Sequence, residues 1–127
     1  MNDSAFDALV SFLAQVPAIE KGFGKGADEA GLWWVKFRID VQHPLAWQVV
    51  QELGHIANYL SFDERLPTSF YPVSPPPYMN GGPKEFLSWI IETKQKDFTP
   101  DDLKTWLEGR LPRPVNDESE WLTDDDD

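Results

Sequence analysis

Trp33-Trp34-Val35-Lys36-Phe37-Arg38-Ile39-Asp40-Val41 is the stretch on which the fold turns. Trp33, Val35, Phe37, Ile39 and Val41 recur at every second position, with Trp34, Lys36, Arg38 and Asp40 between them. Side chains of an extended chain alternate between two faces, so this pattern predicts a strand with one face on a core and the other in water. The period then changes. Pro44, after His43, is favoured as a first helical residue, and Leu45, Ala46, Val49, Val50, Leu53, Ile56, Ala57 and Leu60 form an apolar stripe at helical spacing. Gln48, Gln51, Glu52, His55 and Asn58 fall on the solvated side.

Beyond this helix, residues 61–69 form a charged connector carrying Asp63, Glu64 and Arg65. Phe70 to Val73 reads as a short strand, and Pro72, with no N–H to give a ladder, confines it to an edge or a bulge. Pro75, Pro76 and Pro77 favour polyproline II, and Asn80, Gly81 and Gly82 supply turn conformations, so a long hairpin connection is expected. Phe86 to Thr93 is apolar on both alternations, as in a central strand. The last helix is marked by Thr99 as cap, Pro100 at its start, Asp101 and Asp102 in the first turn and Phe98 placed to staple onto Leu103. Leu103, Trp106, Leu107 and Leu111 are its expected core face.

Upstream of the deciding strand, Ser4 is placed to cap a helix over 4–16, with Phe6, Leu9, Val10 and Leu13 on one face. The segment GFGKGADEAG, residues 22–31, has four glycines and reads as a mobile linker. The expected fold is therefore α+β: a small antiparallel sheet of three to four strands packed by two helices, a split βαβ or ferredoxin-like arrangement, plus an N-terminal helix. A fourth strand near Arg113 to Val115 would complete that sheet. The domain is expected to span 1–114, with an acidic, disordered tail over 115–127.

Composition narrows the function classes. With 41% hydrophobic and 13% aromatic residues, including six Trp and eight Phe, the chain can fill one core without cross-links. The absence of Cys excludes disulfides and thiolate metal sites, and with no signal-like or spanning apolar run a cytoplasmic setting is expected. The formal charge is −11, of which seven acids lie in residues 115–127, leaving −4 for residues 1–114. The eleven Lys and Arg are scattered, so neither nucleic acid nor a membrane is an expected partner.

No stretch carries a catalytic motif. Glu52 and His55 share a helical face but supply two metal ligands where zinc wants three or four, so His43 is read as a boundary residue and His55 as solvated. There is no GxSxG elbow, and Asp101 and Asp102 are explained by the helix dipole. Residues 22–31 lack the Gly-Lys-Ser/Thr ending of a phosphate loop and run from helix to strand, the reverse of its order. No cofactor, metal or catalytic residue is expected.

A binding function remains: a protein-binding module of the immunity-protein or inhibitor kind, acting on a basic protein through an acidic and aromatic surface of Trp34, Asp63, Glu64, Tyr71 and Tyr78. The alternative is a small-molecule-binding or regulatory ferredoxin-like module, with a pocket lined by Trp34 and the proline-rich hairpin. The chain is expected to be a monomer or a weak homodimer, pairing through the strand that holds Tyr71.

Overall fold

The computed structural model describes residues 3–20, 22–59, 66–73 and 88–121. Four strands, β1 (Gly24–Ala27), β2 (Trp33–Phe37), β3 (Thr68–Val73) and β4 (Ser88–Thr93), form an antiparallel sheet in the spatial order β1-β2-β4-β3. Among the described residues three α-helices, α1 (Asp7–Leu13), α2 (Ala46–Gly54) and α3 (Pro100–Arg110), supply the other layer of an α+β fold. Strands β2 and β3 both run antiparallel to β4, which lies between them, so they are parallel to each other and α2 is their crossover. That is the split βαβ unit. The fourth strand expected near Arg113 is not formed; the flank of β2 is taken by β1, from before it in the chain.

The core follows the alternation of β2. Trp33, Val35, Phe37 and Ile39 are buried, together with Trp89 and Ile91 of β4, Phe70 of β3, and Leu9, Leu13, Val49, Leu53, Leu103 and Leu107 from the helices. Phe23, Phe37, Phe70 and Trp89 make a chain of ring contacts across this face, at successive centroid separations of 5.8, 6.3 and 5.3 Å. Trp33 also donates its indole N–H to the carbonyl of Phe98 (2.6 Å), tying β2 to the approach of α3. α3 starts as its residues dictate: Asp102 N–H donates to Thr99 Oγ1 and Thr99 N–H to the Asp102 carboxylate, with Pro100 in the first turn. Trp106 is only half-buried and carries the Arg110 guanidinium over its ring.

Three local expectations are corrected. The α-helix of the N-terminus begins at Asp7, behind a 3₁₀ turn over Asp3–Phe6, so Phe6 and not Ser4 occupies the cap position. The segment read as a mobile linker holds β1 and a tight hairpin. Asp28 N–H bonds Leu32 O, Gly31 N–H bonds Asp28 O, Gly31 takes φ 88°, and the Asp28 carboxylate accepts from Ala30 and Leu32. This is a three-residue loop closed by a left-handed glycine bulge, the geometry that Asp-x-x-Gly favours.

The third correction concerns the C-terminal segment. The packed chain runs past Pro114: Val115 and Trp121 are buried, and a 3₁₀ turn spans Glu118–Trp121. Trp121 donates its indole N–H to Val115 O (2.9 Å), and Gln48 of α2 donates to the Trp121 carbonyl. An aromatic amphiphile thus anchors the first part of the acidic segment, because burying an indole outweighs ordering a few polar residues.

Candidate protein-binding surface

The polar alternation of β2 places Trp34 and Lys36 on the face of the sheet away from the helices. β4 adds Ile90 and Glu92 to that face, and β3 adds Ser69 and Tyr71. Trp34 lies directly opposite Glu92 across the β2–β4 ladder, and Tyr71 donates its hydroxyl to Glu92 Oε2 at 2.8 Å. Two of the five residues read from the sequence as a binding surface therefore share this face, Tyr71 bonded to Glu92 and Trp34 paired with it in register. That hydrogen bond raises the pKa of Tyr71 above the usual tyrosine value, with burial and the charge of Glu92 adding to it. Tyr71 is still 39% exposed, so the phenol ring faces solvent while its hydroxyl is held.

Trp34 is held by glycine. Its indole lies across β1, so near Gly26 that a Cβ there would sit 2.7 Å from Cζ2 and 3.1 Å from Nε1; at Gly24 the nearest atom would be Cζ3, at 3.6 Å. The two glycines form a flat shelf for the ring, and the indole stays half-buried instead of standing free. Packing against β1 is the structural role of Trp34, and its outer surface remains available. The face is not acidic: Lys36, Arg38 and Lys94 accompany Glu92, and Arg38 is engaged by Glu20 at 3.6 Å. Asp63, Glu64 and Tyr78, the other members of the expected surface, lie outside the described residues.

The β3 edge beside Tyr71 is closed. Asn58 donates to Phe70 O (3.0 Å) and accepts from Phe70 N–H (2.7 Å), pairing both outward backbone groups of that residue as a neighbouring strand would. Two positions on, Pro72 has no N–H to offer. Asn58 reaches the edge because α2 continues into a π-helical turn over His55–Tyr59, whose extra residue rotates Asn58 off the solvated side assigned to it by a uniform helical period. Thr68 Oγ1 donates to Ala57 O (2.7 Å), satisfying a carbonyl of that turn.

No known protein-family model, curated protein or solved structure matches the chain. The site is therefore judged on its geometry. A hollow of about 350 Å³ opens beside Trp34, lined by Asp28, Leu32, Trp33, Glu92, Thr93 and Lys94. A larger groove of about 810 Å³ runs between α1 and α3, past Phe12, Lys104, Glu108 and Arg113. Among the described residues no group of three or more His, Asp or Glu side chains is placed to hold a metal ion, and no helix is long and apolar enough to cross a membrane.

One exposed aromatic escaped the sequence reading. Trp47, in the first turn of α2, is 60% exposed. Its signal was its phase: it falls outside the apolar stripe, next to Gln48. The acidic turn Glu118–Trp121 docks on the same end of α2, through Gln48 and through His43, whose Nε2 lies 3.4 Å from Glu118. His43 is a boundary residue as expected, its Nδ1 accepting the Leu45 amide N–H (3.0 Å), which leaves Nε2 to face the carboxylate.

Proposed function

We propose that this chain is a non-catalytic protein-binding module, an inhibitor of the immunity-protein kind that blocks a basic toxin or enzyme in the cytoplasm. The observation that carries the reading is the outer sheet face, where Trp34 and Tyr71 flank Glu92 with no described helix laid over them. Tryptophan and tyrosine concentrate interface energy because they bury large areas at little entropic cost. The charge of −11 attracts a basic partner over distance, while the mixed charges beside Glu92 set register at contact. The acids of the hairpin tip, Asp28 and Glu29, stand at the border of this face, Asp28 beside the Trp34 hollow.

A second reading, a small-molecule or regulatory module of ferredoxin-like type, is favoured by the Trp34-lined hollow, whose volume is near the lower end for ligand sites. Affinity capture from the native lysate separates the two. The immobilised full chain is expected to retain one basic protein, more at low than at moderate salt, and a chain ending at Trp121 to retain it too. Replacing Trp34 and Tyr71 by Ala should weaken binding roughly thirtyfold for each anchor, equivalent to about 2 kcal/mol. Unchanged binding by the double variant would remove the function from this face. A small molecule co-purifying with the chain, with no protein retained, would favour the second reading.

A further inference from the structure

The hairpin bonds fix which groups of β1 face outward. Asp28, one residue beyond β1, donates its N–H to the carbonyl of Leu32, one residue before β2, so it faces the neighbouring strand in the continued ladder. In an antiparallel ladder backbone groups alternate sides, so Gly26 and Gly24 also face β2, while Lys25 and Ala27 direct their N–H and C=O away from the sheet. β1 is an edge strand, and no side chain among the described residues caps Lys25 or Ala27 as Asn58 caps Phe70. The 3₁₀ turn Asp3–Phe6 packs beneath β1 on the helix side, where Phe6 meets the Trp33 ring at 6.0 Å.

We propose that a second copy of this chain adds to the sheet at β1, antiparallel about a two-fold axis through Gly26. In that register Lys25 of one copy exchanges backbone hydrogen bonds with Ala27 of the other, and Ala27 with Lys25, so every outward group of the strand is paired. The charge order along Lys25-Gly26-Ala27-Asp28-Glu29 selects a second copy over an arbitrary strand. Antiparallel pairing brings the cation at one end of this segment toward the two acids at the other end of its mate, twice over. Lys25 and Glu29 make no ion pair among the described residues, so both are available for it. On the outer face the two Trp34 rings, each seated on its own Gly26, come to lie either side of the axis and join the two aromatic surfaces into one.

Sedimentation velocity of the full chain alone tests this without any other partner. It is run from micromolar to millimolar protein at about 0.15 M salt, where the Debye length of about 8 Å screens repulsion between the two acidic bodies. A monomer–dimer equilibrium is expected. Lys25→Glu should raise its dissociation constant at least tenfold, and adding Glu29→Lys should restore it. Ala27→Pro, which removes an outward N–H and leaves the β1–β2 ladder intact, should abolish the dimer with the melting temperature unchanged. A chain that stays monomeric throughout, or a dimer indifferent to Lys25→Glu, overturns the proposal.

Discussion

The two edges of this sheet meet the same hazard, unpaired backbone groups facing outward, in opposite ways. At β3 both groups of Phe70 are taken by the Asn58 side chain, and Pro72 withholds the next N–H. At β1 no side chain among the described residues gives the outward groups of Lys25 and Ala27 such cover, and the strand is restrained by its four-residue length and by Lys25. The sealed edge depends on a π-helical turn that supplies a precisely phased amide, and the open edge depends on two glycines that accept a tryptophan. Among the described residues the side left for the proposed second copy is that of β1 and Trp34.

The contrast is easiest to break at Asn58. Asn58→Leu leaves Phe70 N–H and C=O without their partner and is expected to cost about 1–3 kcal/mol, read as a lower urea midpoint at unchanged slope. At the open edge Gly26→Ala forces a methyl into the Trp34 ring and should cost a similar or somewhat smaller amount, about 1–2 kcal/mol. Most of that cost should vanish in a Trp34→Ala background, and a double-mutant cycle measures the difference. Ala27→Pro should change stability by less than about 0.5 kcal/mol, because the N–H it removes faces water.

The smallest effect concerns Tyr71, beside the sealed edge. Its pKa is raised by the bond to Glu92, so the folded state favours the protonated phenol. The stability this contributes is complete below the ordinary tyrosine pKa and is lost as pH rises through the higher folded value. An absorbance titration should place Tyr71 above an exposed tyrosine, and Glu92→Gln should bring it back down.

How far the sequence reveals this architecture depends on where the deciding interaction lies. The strand at Trp33 and the cap of α3 are legible because period and capping chemistry act within a few residues, as the Thr99–Asp102 pair illustrates. The glycines of β1 read as a loop because what makes them a strand is Trp34 lying across them from the next strand. Asn58 was misassigned because one additional residue in a helical turn changes the phase of everything after it. Trp121 carried a visible signal, an aromatic–aliphatic pair in an acidic run, but the bonds that hold it come from Val115 and Gln48. Of the expected surface, the outward positions of Trp34 and Tyr71 follow from alternation and from the edge position of β3, whereas the placing of Glu92 opposite Trp34 and within reach of Tyr71 emerges from cross-strand register alone.

Amide hydrogen exchange, resolved residue by residue in dilute solution, tests the asymmetry of the two edges most directly. The account predicts that Phe70, on an outer strand, exchanges slowly because Asn58 holds its N–H, while Lys25 and Ala27 exchange fast and gain protection as the protein concentration rises. Fast exchange at Phe70, or slow and concentration-independent exchange at Lys25 and Ala27, would contradict it.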